Sequence, residues 1–244
     1  MTISKFPLVT NYKLFNTIEY QCQANINIYE SDKCDSLATQ AASGRHLQII
    51  QSQEKSPNAI MVKLLEDDYP GWLLNKDFDK IQPASTVYEP HIFNDAEIRD
   101  KLPEVIAFTY KAMNTPNYYL WGGTVGPNYD CSGLIQAAFV SVGIWIPRDA
   151  DQQEAFCQKI SLDKYELNDQ LIVGDLVFFG TGEIADHVGL YLGEGRYIHS
   201  SGKSQGRNGI GIDVLSEEGD EVSQRYYQQF RSAARVVRSY GNTK

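Results

Sequence analysis

The sequence predicts an α+β protein in two parts: a small β-barrel, then a domain whose helices pack on an antiparallel sheet. Three observations carry this expectation. Residues from about 13 to 82 break into short extended segments bounded by turn formers, the chain beyond 94 opens with helix-like stretches, and it closes on alternating ones. At 244 residues and 42% hydrophobic content it has material for two cores.

The barrel segments are "EYQCQANINIYE", "GRHLQIIQS" and "AIMVKLLEDDYPGWLLN". The last is expected to form strand, tight turn and strand, with "YPGW" supplying the turn through its Pro-Gly pair. This gives a barrel over 1–83, and the aperiodic "PASTVYEPHIFN", with two prolines, gives a linker over 84–94. The second domain, 95–244, starts with a helix whose stripe is Ile98, Leu102, Val105, Ile106 and Phe108, capped by Asn94 or Asp95. "CSGLIQAAFVSVGI" is apolar on nearly all sides and stops near Gly143, as a buried helix would. "DADQQEAFCQKI" adds a short helix. "DLVFFG", "HVGLYLGEGRYIHSSG", "GIGIDVL" and "SAARVVRSY" alternate as sheet strands.

Charge and composition remove several function classes. A net charge of −9 argues against nucleic acid, whose phosphates call for Lys and Arg. No stretch approaches the roughly 18 unbroken apolar residues of a membrane span, and "MTISKFPLVTNYKLF" lacks the marks of a secretory signal. A cytoplasmic protein with no membrane or nucleic-acid partner is therefore expected, and a small peptide ligand fits best. The four cysteines, at 22, 34, 131 and 157, show no zinc-like pairing, so reduced thiols are expected.

One thiol stands apart. Cys131 falls at the start of a helix with Asp130 as its cap, where free N–H groups and the helix dipole would expose the sulfur and lower its pKa. A base would complete its activation, and His187 and His199 lie on one apparent hairpin. With a three-residue loop Gly193-Glu194-Gly195, His187 falls opposite Ser201 and His199 one diagonal step away on the same face. Cysteine, base and orienting residue make the acyl-transfer arrangement. Against this stand bland readings: a small buried cysteine, two unrelated histidines, or a zinc site that lacks a fourth ligand. Cys22, Cys34, Cys157, His46 and His91 are expected to be structural or surface residues. Asp130 should point away from the thiol toward a cation, a substrate ammonium being one candidate, or it merely caps the helix.

In order and spacing, "YYLWGGTVGPNYDCSGLIQAAF", "IPRDADQQ", "GDLVFFG" and "HVGLYLGEGRYIHSSG" resemble the NlpC-type, papain-like cysteine peptidases of bacterial peptidoglycan, over roughly residues 95 to 238. The N-terminal segment, through "DDYPGWL", resembles the bacterial SH3-like modules that accompany them. The two-domain layout is similar to the γ-D-glutamyl-L-diamino acid endopeptidases. The resemblance implies Cys131 as nucleophile, His187 as base and His199 as its orienter. It also implies Asp130, Ser132 and Tyr69 at the free amine of L-Ala, with Tyr119 and Trp121 lining the site. Ala150 departs from the Ser that many relatives carry. The expected function is hydrolysis of the bond between γ-D-Glu and a diamino acid, expected to be meso-diaminopimelate, in free stem peptides during wall-peptide recycling. No metal or other cofactor is implied. The alternatives are a secreted hydrolase of intact wall and a catalytically silent wall-peptide binding protein.

Overall fold

A computed structural model describes residues 14–50, 56–162 and 170–241, with side chains from Ile18 onward. Seven strands form the first sheet: β1 (Leu14–Cys22), β2 (Ile26–Tyr29), β3 (Leu37–Ala41), β4 (His46–Ile50), β5 (Ala59–Leu64), β6 (Pro70–Leu74) and β7 (Ile81–Pro83). Their order is β3-β2-β6-β5-β4-β1-β7, around a core that includes Ile28, Leu47, Val62, Leu64 and Leu73.

The turn in this sheet is not where "YPGW" suggested. Pro70, Gly71 and Trp72 lie inside β6, paired with Lys63, Val62 and Met61. The chain reverses earlier, through Glu66-Asp67-Asp68, with Asp68 at φ 53. Pro70 is tolerated as the first residue of its strand, and Gly71 is required because a Cβ there would sit 2.4 Å from Ile28 Cγ2.

Residues 84–94 form no helix or strand. Then come α1 (Asp95–Met113), α2 (Cys131–Val140), α3 (Ala150–Phe156), β8 (Gln158–Lys159), β9 (Leu176–Phe179), β10 (His187–Gly193), β11 (Arg196–Ser201), β12 (Gly209–Val214), α4 (Glu221–Gln228) and β13 (Phe230–Arg235). Asn94 caps α1 in a capping box with Glu97, and Ile98 and Val105 are buried as the stripe required. The six-stranded sheet, β12-β11-β10-β9-β13-β8, carries apolar residues on both faces. Phe178, Val188, Leu190 and Ile198 meet the core of α1 and α2, while Val177, Phe179, Tyr191 and Tyr197 meet Tyr226 of α4. Helix α4, in a stretch to which the sequence pattern assigned no element, is capped by Asp220, whose side chain accepts from Ser223 N.

The β10–β11 hairpin has the expected register for a different reason. Leu190 pairs with Ile198 and Tyr191 with Tyr197. The loop is nevertheless two residues, Glu194 and Gly195, with φ values of 55° and 72° that make a type I′ turn. A regular two-residue turn would put His199 on the far face, but a register shift between Tyr191 and Gly193 restores it.

Among the described residues no helix is long and apolar enough to cross a membrane.

Candidate active site

Helix α2 points its N-terminus at the start of β10. Cys131 is its first residue, and backbone N–H groups of Ser132 and of Val188, the residue after His187, donate to the sulfur. The sulfur is not exposed as the sequence suggested. Cys131 is only 6% accessible, and burial, with the Asp130 charge, pushes its pKa up to about 12 despite those two donors.

Behind it runs a buried relay. His187 Nε2 lies 2.6 Å from His199 Nδ1, and His199 Nε2 lies 2.7 Å from Asp213 Oδ2. Asp213 also accepts from Arg207 and from Ser223 Oγ. Burial works against its charge, but the hydrogen bonds from His199 and Arg207 outweigh that and hold the carboxyl well below the usual carboxylate range. An ionised carboxylate only accepts, so the His199 proton sits on Nε2 and its Nδ1 accepts from His187 Nε2. The lone pair of His187 is thereby left on Nδ1, available to a thiol proton. Tyr226 stacks on the His187 ring with centroids 4.5 Å apart and binds Ser201 through its hydroxyl at 2.8 Å, fixing the imidazole plane.

Asp213 was not singled out from the sequence, although the rule that joined the two histidines would have found it. In β12, Gly211 is the partner of His199 and Asp213 lies two residues on, hence on the same face.

The other expected site residues are arranged differently. Asp130 caps α2 and carries its cation within the fold. Its Oδ1 accepts from Gly133 N at 2.7 Å and Arg148 Nη1 at 3.1 Å, and its Oδ2 from Gly122 N at 2.8 Å and Arg148 Nη2 at 2.7 Å. Ser132 Oγ adds a fifth, longer bond to Oδ1 at 3.4 Å, and the cation paired with Asp130 within the fold is Arg148. Ser132 joins the same clamp, accepting from Arg148 Nη1 at 2.9 Å. Tyr69 does reach across from the first domain, but it donates to Asp149, at 3.1 Å from Oδ2. Arg148 and Asp149 both lie in "IPRDADQQ", where only Ala150 had drawn notice; Ala150 itself packs in the core that holds Cys131. Tyr119 and Trp121 line a pocket of about 300 Å³ with His187, and Trp121 Nε1 donates to Glu30 of the first domain at 3.1 Å. Among the described residues, no group of three or more His, Cys, Asp or Glu side chains is placed to hold a metal ion.

A buried thiol at a helix start, with Val188 donating to it, and the adjacent His187 oriented through His199 to Asp213, on an α+β scaffold, form the kind of arrangement that cysteine peptidases use. Residues 116–236 match the NlpC/P60 family, and residues 28–78 match the bacterial dipeptidyl-peptidase Sh3 domain. The C-terminal domain is thus an NlpC/P60 domain, preceded by an SH3-like domain. Similar proteins include the γ-D-glutamyl-L-lysine dipeptidyl-peptidase of Bacillus subtilis, 44% identical over 40% of this chain and 30% of that protein. Another is dipeptidyl-peptidase 6 of Lysinibacillus sphaericus, 35% identical over 52% of this chain and 41% of that one. The chain spans less than half the length of these relatives. A solved NlpC/P60 family protein from Bacillus cereus covers 90% of this chain and 64% of its own, at 23% identity and a TM-score of 0.45.

The histidine environment sets an expected pH dependence. Burial first, and the neighbouring His199 second, push the His187 pKa well below 6.5, against the pull of Asp213. The neutral, proton-accepting form therefore persists as pH falls through 6.5. The acid limb of kcat/KM is expected below pH 6.5, and a limb centred at 7 or above would show that His187 is not the buried neutral base drawn here.

Proposed function

We propose that the protein hydrolyses the amide between γ-D-Glu and a diamino acid in free peptidoglycan stem peptides bearing an unblocked N-terminal L-Ala. The observation that carries this reading is the contact of Tyr69 with Asp149 across the domain boundary. Asp149 follows Arg148, whose guanidinium clamps the residue before Cys131, and this contact supports the reading that the first domain closes one end of the substrate site a short step from the thiol. An ammonium suits a carboxylate and phenol at such a wall, and a peptide acylated there would meet the barrel instead. The names of the similar dipeptidyl-peptidases support the same bond.

In the reaction, Cys131 Sγ attacks the γ-carbonyl carbon as its proton passes to His187 Nδ1. The backbone N–H of Cys131, at the start of α2, is the donor nearest the charge that develops on oxygen. The C–N bond breaks as His187 returns the proton to the leaving amine, releasing the diamino acid and leaving a thioester. Water, deprotonated by His187, then attacks the thioester and frees L-Ala-γ-D-Glu and the thiol. The substrate implies a recycling role in the cytoplasm.

Mass spectrometry of L-Ala-γ-D-Glu-L-Lys and its N-acetylated form tests this. Release of lysine from the free peptide, at a rate at least about 100-fold above the acetylated one, is expected from loss of a buried charge-assisted contact plus a steric block. Equal rates would overturn amine recognition and favour a hydrolase of intact wall, which predicts release from sacculi as well.

A further inference from the structure

The amine that His187 protonates belongs to the residue after the scissile bond, so that residue must lie against His187. The pocket of about 300 Å³ that His187 lines is there. It is at the small end for ligand sites, suited to one side chain. Ser204, Gln205, Gln229 and Tyr226 give it neutral polar walls, and beside His187 stands Asp186.

Among the described residues lining this pocket, Asp186 is the sole carboxylate, and no lysine or arginine is present. The nearby arginines are engaged elsewhere. Arg225 donates to the carbonyls of Ser204 and Gln205, and Arg231 pairs with Glu154 and donates to the carbonyls of Gly182 and Glu183. Asp186 is exposed at the pocket's edge, with its backbone fixed by the N–H bond to Phe179 O at 3.0 Å. Partial burial raises its pKa, with a backbone hydrogen bond and Arg231 acting in the opposite direction, so an arriving cation would stabilise its charge.

We infer that Asp186 determines specificity by pairing with the side-chain ammonium of the diamino acid after the scissile bond, so that the pocket selects lysine. A side chain of equal length without a cation leaves Asp186 unpaired. Diaminopimelate brings a second carboxylate that no lining cation meets, which reverses the expectation of meso-diaminopimelate. This inference rests on the proposed peptidase reading and assigns its leaving-group subsite.

The test is kcat/KM for L-Ala-γ-D-Glu-X, with X as L-lysine, L-norleucine or meso-diaminopimelate, for the wild type and Asp186→Asn. Wild type is expected to favour lysine over norleucine about tenfold, the low end for a charged hydrogen bond because Asp186 is partly solvated. Asp186→Asn is expected to bring that ratio to within about twofold of unity. Equal wild-type rates, a lysine preference that survives the substitution, or diaminopimelate preferred to lysine would each overturn the inference. A general slowing with the ratio kept would make Asp186 a positioning residue for His187. Cleavage of the norleucine peptide without any preference leaves the peptidase reading standing, whereas no cleavage of any peptide by the wild type removes both.

Discussion

Cys131→Ala is expected to lower release of the diamino acid from the free peptide by at least about 10⁴-fold, with the fold intact. The substitution removes the one atom that can form the thioester. What remains, the relay and the binding walls, accelerates water attack only weakly, because His187 is placed to take a proton from sulfur and not from a water bound in its stead. No other thiol can substitute. Cys22 lies in the barrel core, Cys34 in a loop of the same domain, and Cys157 beyond the end of α3, and burial pushes the Cys22 and Cys157 pKa values up to about 12 with no histidine relay beside them. Structurally the change is mild: Cys131 sits at the edge of a core, and alanine is the better helix former. Circular dichroism and a denaturation midpoint close to wild type, together with peptide release by mass spectrometry, check both halves. Activity within tenfold of wild type would remove Cys131 from the chemistry.

What the sequence shows of this site depends on how far its contacts run along the chain. The His187–His199 pairing was legible because it spans one hairpin, where strand parity is a local property. Even there the loop length was misjudged, since a bulge at Gly193 compensates a turn one residue shorter, and opposite errors in loop and register cancel in the sequence pattern. Asp213 needed the same parity argument carried across one more strand. The helix start at Cys131 was legible from Asp130 and the apolar run behind it, but its electrostatics were not. The dipole and N–H donors favour a thiolate, whereas desolvation, which depends on Val188 and the packed core around it, favours the thiol and prevails. The turn at Glu66-Asp67-Asp68 was hidden for a similar reason. Those acids look like an exposed loop, but Glu66 and Asp67 are buried against Arg45, and Asp67 accepts from Gln136 of α2. Arg45, Glu66, Asp67 and Arg148 join segments far apart in sequence, and no periodicity marks such partners.

Arg148→Met is expected to cost about 3–5 kcal/mol of stability, the range for removing one partner of a buried ion pair. Arg148 is 1% accessible. Burial alone would lower its pKa, and the Asp130 carboxylate more than reverses that, so the guanidinium stays charged. Methionine fills part of the volume but leaves Asp130 with Gly122 N, Gly133 N and the longer bond from Ser132 Oγ, a buried charge without a cation. It also removes the 2.9 Å bond from Arg148 Nε to Thr39 Oγ1, a direct tie between the two domains. At roughly 2–4 °C per kcal/mol for a chain of this size, the melting temperature should fall by about 10 °C. The effect reaches the chemistry as well, because an uncompensated Asp130 raises the adjacent thiol's pKa further and disfavours sulfur attack. Adding Asp130→Asn to Arg148→Met removes the stranded charge and is expected to recover about half of the lost stability, though not the bond to Thr39. Chemical denaturation of the two variants checks this, and a loss below about 1 kcal/mol in the single variant would show that Arg148 and Asp130 remain solvated in solution.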